Sequence, residues 1–300
     1  MQNKKQLLGT AAALGANLIF GFGFLFSKMA LGSADPIILI ACRFSVAFVS
    51  INIVLLVARI KLNFKGKPKG NLILMAVMQP LLYFVFETYG LNRVSSALSG
   101  VIISLVPVAA MIFAVIFLKE KPTALQVIST IVLIGATAGI SIISNDGSKN
   151  HFIGILFLIG AVICAGMFNI LSRSESQRYT PFERTYVMLL LASVGYIILA
   201  FCTYGKDTLP MAISAFSVPQ FLVSMLYLGG LSSVGAFMLY NYSTSQITAV
   251  QSSSFSNIIT VVTVVAGTVI LGEKFSALEY ILSAVILLGV FLVNFKREKK

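Results

Sequence analysis

The stretch FLKEKPTALQ (117–126) returns near the end of the chain as ILGEKFSALE (270–279). Leu118, Glu120, Lys121, Ala124 and Leu125 match Leu271, Glu273, Lys274, Ala277 and Leu278 at an offset of 153. A match at about half the chain's length marks a duplicated unit, which constrains the architecture before any local reading. Upstream the offset is 145, with Gly21, Ser27, Lys28 and Pro36 corresponding to Gly166, Ser172, Arg173 and Pro181. The change of offset places an eight-residue insertion around the Gly205 to Pro219 connector.

Composition says which solvent the duplicated unit lives in. Of the 300 residues 58% are hydrophobic and 11% charged, more apolar side chain than a soluble domain can bury and too little charge to keep it in solution. The apolar residues fall into runs at roughly 7–27, 36–58, 71–91, 95–118, 123–144, 152–172, 185–204, 217–241, 247–271 and 276–295. Each is near the ~20 residues that span hydrocarbon as a helix. The expected fold is therefore an all-α integral membrane protein of ten transmembrane helices. The first run follows Lys4 and Lys5, but its small residues Ala11 to Ala13 lie at its start, so it is read as a retained span and not a cleaved signal.

The net charge of +12 would suit nucleic acid only if it formed a basic face, and here Lys and Arg cluster between apolar runs, so no nucleic-acid partner is expected. The charges report topology instead. Alternate connectors carry sixteen Lys and Arg on one side against five (Lys28, Arg93, Lys149, Lys206 and Lys274) on the other, with Arg43 inside a helix. Positive charge stays in the cytoplasm, which puts both termini there in a plasma-membrane protein. With five helices per unit, the second unit, 147–300, enters the membrane opposite to the first, 1–146. Inverted repeats of this kind are a recurrent plan of secondary transporters.

Pro107 in the fourth run, the Glu120-Lys121 and Glu273-Lys274 pairs, Lys28, and the Asp35-Pro36 to Arg43 stretch together resemble the EamA family of the drug/metabolite transporter superfamily, over essentially the whole chain. The second half departs from the pattern, with Thr260 where the proline would recur and Met188 opposite Arg43. The resemblance implies efflux of small metabolites, often amino acids.

The residues point independently to two places. In the fourth run Ala97, Gly100, Ser104, Pro107, Met111 and Ala114 form one stripe of mostly small side chains, repeated as Val250, Ser253, Asn257, Thr260, Val264 and Gly267. At ~1.5 Å rise per residue, Ser104 and Asn257 lie about 13–15 Å from their helix starts, near the midplane. The stripes serve either a shared substrate site or close helix packing; the glycines fit packing better and the Asn257 amide fits a cavity. Pro107 removes a donor from the Ile103 carbonyl and is expected to kink the helix, leaving a carbonyl for substrate, for water or for a neighbouring group.

In the third run Gln79, Tyr83 and Glu87 recur every four residues, placing an amide, a phenol and a carboxylate along one helix face. Tyr240 is the repeat counterpart of Glu87. A charge inside a membrane helix needs water or a partner, and the depths of Arg43 and Glu87 are compatible with coupling between them, directly or through water. Asn17, Asn52 and Asn169 are further intramembrane amides, and Asn169 shares a face with Gly166 and Arg173. Gly135 and Gly139 form a GxxxG read as packing within the fold, consistent with a monomer.

An enzyme is not expected. The connectors are too short for a soluble catalytic domain, His151 is isolated, Glu87 is the acid set well inside a span, and GxxxxGK[ST] is absent. Cys42, Cys164 and Cys202 lie in apolar runs without CxxC spacing, so neither metal nor disulfide chemistry is indicated. No cofactor is called for. The partners expected are a small-molecule substrate, the lipid bilayer and a coupling ion. Uptake of a metabolite, a channel and a lipid scramblase remain the alternatives to export.

Overall fold

A computed structural model describes residues 2–118, 124–143, 149–247, 252, 255–274 and 276–294. Among these the regular elements are helical. Among the described residues, seven helices are long and apolar enough to cross a membrane: Lys5–Leu31, Pro36–Val57, Gly70–Leu91, Ser96–Phe117, Asn150–Glu175, Pro181–Phe216 and Pro219–Gln246. Three shorter apolar helices, Ile131–Ile140, Ile258–Val269 and Ala277–Leu288, occupy the regions of the fifth, ninth and tenth runs. Side chains such as Val49, Leu56, Ile131, Ile213 and Leu288 are exposed, an apolar exterior of the kind that lipid covers.

The first half opens with α1 (Gln2–Leu31) and α2 (Pro36–Val57), the latter starting on a proline whose missing N–H costs nothing at a helix start. The third run is not one regular helix. It is α3 (Gly70–Ala76), a wide-turn stretch Val77–Leu82, and α4 (Tyr83–Leu91), interrupted where Gln79 is extended (φ −146°, ψ 119°) ahead of Pro80. A proline disfavours helical geometry in the residue before it and removes a backbone donor. Tyr196 donates its hydroxyl to the Pro80 and Leu81 carbonyls at 2.8 and 2.7 Å, satisfying backbone that hydrocarbon could not. The expectation of one unbroken Gln79, Tyr83, Glu87 face is corrected accordingly.

The fourth run is likewise split into α5 (Ser96–Ile103) and α6 (Val106–Leu118), with Ser104 and Leu105 in the turn between. Pro107 lies in the first turn of α6, a helix-start position and not the middle of a kinked helix. α7 (Ala124–Ile143) completes this half.

The second half continues with α8 (Lys149–Glu175) and α9 (Pro181–Tyr204), then a tight turn Gly205–Asp207 and the short α10 (Thr208–Phe216). These last two elements fall where the change of offset placed the insertion. There follow α11 (Pro219–Met225), a second wide-turn stretch Leu226–Ala236, α12 (Phe237–Gln246), α13 (Asn257–Val269) and α14 (Ala277–Asn294). The wide-turn stretches in the two halves overlap under the offset of 153.

Packing follows the same correspondence. α1 lies against α12 and α13 as α8 lies against α4, α5 and α6; α2 meets Leu226–Ala236 as α9 meets Val77–Leu82; and α7 packs along α14. Two glycines related by the offset of 145 allow close approaches. A Cβ at Gly21 would fall 2.6 Å from Val262 Cβ, and one at the corresponding Gly166 would fall 2.7 Å from Ala109 Cβ. Gly139 of the GxxxG faces Leu282 of α14.

Candidate functional site

A cavity lies among α1, α2, α4, α8, α12 and the helix breaks, lined by Asn17, Phe20, Gly23, Phe24, Arg43, Gln79, Tyr83, Phe84, Glu87, Ile103, Val106, Ala165, Phe168, Asn169, Ser232, Phe237, Tyr240, Ser256 and Ile259. The extended residue before Pro80 turns Gln79 onto this cavity together with Tyr83 and Glu87, although the helix carrying them is broken. The space open to the centre of a water-sized sphere is ≈ 60 Å³, enough for a few waters at the ~10–15 Å³ each requires.

Most of the lining falls into pairs under the two offsets. Phe20 and Ala165, Gly23 and Phe168, and Phe24 and Asn169 are related by 145; Gln79 and Ser232, Phe84 and Phe237, Glu87 and Tyr240, Ile103 and Ser256, and Val106 and Ile259 are related by 153. Sixteen of the nineteen lining residues pair in this way; Asn17, Arg43 and Tyr83 do not. Both formal charges in the cavity, Arg43 and Glu87, belong to the first half.

Arg43 is 2% exposed and donates from Nε to Ser233 Oγ at 3.1 Å and from a terminal nitrogen to Ser232 Oγ at 3.2 Å, with its guanidinium 4.2 Å from the centre of the Phe84 ring. Glu87 is 3% exposed and accepts from Thr88 Oγ1 at 3.5 Å. The ion pairs among the described residues are Lys67 with Glu183 and Arg178 with Glu175. A direct Arg43–Glu87 ion pair is thus not made: the serines and Phe84 hold the guanidinium. Tyr240 donates to Asn169 Oδ1, and its ring stacks on Phe168. Asn17 donates to Ala13 O at 2.7 Å.

The described positions of the small-residue stripes do not line this cavity. Ser104 is buried and returns its hydroxyl to Val101 O at 2.6 Å, and Thr260 donates to Gly100 O at 2.9 Å, joining α13 to α5. A Cβ at Gly100 would lie 2.7 Å from Thr263 Cβ, so this seam is close packing. Pro107 is off the cavity, while its neighbour Val106 and Ile103 are on it. Asn257 starts α13, but its side chain, like Ser253 and the Glu120-Lys121 pair, lies outside the described residues.

Charged groups hold helix ends on either side of the cavity. Lys28 donates to the Leu91 and Val94 carbonyls at 2.8 and 2.7 Å, and its counterpart Arg173 donates to Thr244 O at 2.7 Å, where Thr244 is the counterpart of Leu91. Each cation sits at the negative end of a helix dipole. Glu273 accepts from Ser96 N, Ser96 Oγ and Ala97 N at 2.7, 2.9 and 3.0 Å, a carboxylate seated on the free N–H groups of α5.

Arg184 is the group that reading the sequence misses. It is fully buried and donates to Ser172 O (2.6 Å), Ser172 Oγ (2.9 Å), Thr244 Oγ1 (3.1 Å), Ser245 Oγ (2.6 Å) and Asn241 O. The signal for it is Thr180-Pro181-Phe182-Glu183, a capping box in which Glu183 N donates to Thr180 Oγ1 at 3.2 Å and Thr180 N to Glu183 Oε2 at 2.9 Å. That box starts α9 at Pro181 and brings Arg184 inside the helix, whereas hydropathy begins the run at 185 and leaves Arg184 in the connector.

A polytopic helical membrane protein whose broken helices enclose a buried polar cavity has the form of a membrane transporter. The comparisons identify which kind. The chain belongs to the EamA-like transporter family, whose model matches residues 7–142 and 152–295. It is similar to "Uncharacterized transporter YcxC" of Bacillus subtilis (strain 168), 32% identical over 302 residues that cover 100% of this chain and 97% of the relative. It is also similar to a "Probable terminal-alkyne amino-acid exporter" of Streptantibioticus cattleyicolor, 24% identical over 71% of this chain and 68% of that protein. A chain of known crystal structure shares the fold, with a TM-score of 0.69 at 16% identity over 95% of this chain and 97% of its own.

Proposed function

We propose that the protein is a secondary carrier with ten membrane helices in two inverted repeats, 1–146 and 147–300, that exports small metabolites such as amino acids by alternating access. The pairing of the cavity lining carries this reading. Two structurally equivalent halves that contribute equivalent positions to one central site can exchange conformations and so present that site to either face. The match of the family model in two segments and the printed name of the exporter relative support it. Arg43, Gln79, Tyr83, Glu87 and Tyr240 are assigned to substrate, and Ser104, Pro107 and Thr260 to the seam that must slide.

The test is an untargeted comparison of metabolites inside and outside cells lacking or overproducing the protein, followed by proteoliposome flux of whatever changes. Export predicts intracellular accumulation on deletion; depletion indicates uptake, and ohmic conductance indicates a channel. Arg43→Gln removes a charged donor and is expected to lower flux about tenfold or more. Equal flux at equal protein level would remove Arg43 from the site.

Cytoplasmic termini and a plasma-membrane location are part of the same proposal, resting on the charge asymmetry. A cysteine in place of the exposed Lys206 should react with an impermeant thiol reagent on intact cells, while one in place of the exposed Lys65 should be protected. The reverse pattern would invert the orientation.

A further inference from the structure

We infer that Glu87 is a proton-binding site whose proton is displaced by a cationic amine of the substrate, so that export is coupled to proton entry; this rests on the transport reading and supplies its coupling ion. The observation is a carboxyl group 3% exposed whose hydrogen bond is a 3.5 Å contact from Thr88, set in a cavity walled by Phe84, Phe168, Phe237 and Tyr240. None of the ion pairs among the described residues includes it.

A carboxylate held away from water without a paired cation is costly, and two events remove the cost: gaining a proton or gaining a cation. Arg43 of α2 does not fill the second role. Its guanidinium is taken by Ser232, Ser233 and the Phe84 face, and it stays charged whatever Glu87 does. The other titratable groups around the carboxyl are phenols and thiols: Tyr83 on its own helix, Tyr240 on α12, Tyr196 on α9 and Cys164 on α8. All of these are neutral near pH 7 in their ordinary state. Lys28 of α1 is committed to the Leu91 and Val94 carbonyls. Glu87 is therefore the group in this cavity able to exchange charge, and its repeat counterpart Tyr240 cannot duplicate it.

The exchange balances. With no substrate the Glu87 oxygen carries a proton; when an ammonium group arrives, that proton leaves to water and the carboxylate pairs with the ammonium. Arg43 remains to attract an anionic group on the same molecule. Proton rebinding from the outer side then releases the amine, making one proton inward for one amine outward.

The first measurement needs no substrate. Infrared difference spectra of the purified protein between acidic and alkaline buffer should contain a protonated carboxyl band in the wild type that is lost in Glu87→Gln and returns, shifted, in Glu87→Asp. The second adds a mixture of the protein amino acids to weakly buffered protein with a pH indicator, and in parallel the same mixture N-acetylated so that it carries no ammonium. Release of one proton per chain with the free amines, none with the acetylated set and none from Glu87→Gln is the expected result. No Glu87-dependent band, or release unchanged in Glu87→Gln, would overturn the assignment. Because the band is read without substrate, it stands apart from the transport reading, which absence of flux for every metabolite would sink separately.

Discussion

Replacing Arg184 by alanine is expected to destabilise the protein by about 2–3 kcal/mol, lowering its thermal midpoint in detergent by several degrees. The guanidinium is the shared donor for two backbone carbonyls and three hydroxyls drawn from α8 and α12. Removing it takes a charged donor from each of them, although Asn241 O keeps Thr244 Oγ1 and Ser245 Oγ, and Ser172 O keeps Ser176 N. Its position in the first turn of α9 opposes that helix's own dipole, but it sits on carbonyls near the C-terminal ends of α8 and α12, where a cation is favoured. Lysine keeps the charge and loses the fork, so Arg184→Lys should recover only part of the stability. Asn169 and Tyr240 of the cavity lie one helical turn from Ser172 and Thr244, so the loosened cluster should also lower flux at temperatures where the variant remains folded. An unchanged midpoint in Arg184→Ala would show the network to be dispensable.

How much of this was legible in the sequence depended on the physical signal. Seven of the apolar runs were legible as spans because hydrocarbon thickness fixes run length, and α10 falls where the two offsets change. Arg43, Gln79, Tyr83, Glu87 and Tyr240 stood out because a polar group inside a span is costly and must face something other than lipid, and all five line the cavity. Ser104 and Thr260 misled for the opposite reason. A helix buried on nearly every side carries small polar residues on packing seams as readily as on cavities, and a hydroxyl can satisfy itself on a carbonyl of its own helix or of a neighbouring one. Phe84, Phe168 and Phe237 were indistinguishable from core, since nothing in an aromatic residue says which wall it forms. The break at Gln79 was available from Pro80, and Arg184 from the capping box, but hydropathy outweighed both.

Leucine at Gly166 is expected to be as disruptive as loss of Arg184, and the contrast with Gly21 makes the reason testable. Overpacking a filled seam costs about 1–3 kcal/mol, and more where the obstacle is backbone. At Gly166 the new Cβ would meet Ala109 Cβ at 2.7 Å and also Ala109 C and Ala110 N at 3.0 Å, whereas at Gly21 it would meet Val262 Cβ at 2.6 Å and Cγ1 at 2.9 Å, with Ile259 Cα next at 3.3 Å. The close obstacle at Gly21 is a side chain that can be trimmed; at Gly166 part of it is the chain itself. Gly166→Ala should therefore lower the thermal midpoint more than Gly21→Ala, although the two positions are related by the offset of 145. Val262→Ala should rescue Gly21→Ala only partly, because the Val262 Cβ at 2.6 Å remains in the alanine, and Ala109→Gly should rescue Gly166→Ala incompletely because the two backbone contacts persist. Since Ala165, next to Gly166, lines the cavity, displacing α8 from α6 should also lower flux in Gly166→Leu beyond what its reduced stability explains. If Gly21→Ala proves the worse of the two, or if Ala109→Gly restores Gly166→Ala completely, backbone contact is not what limits this seam.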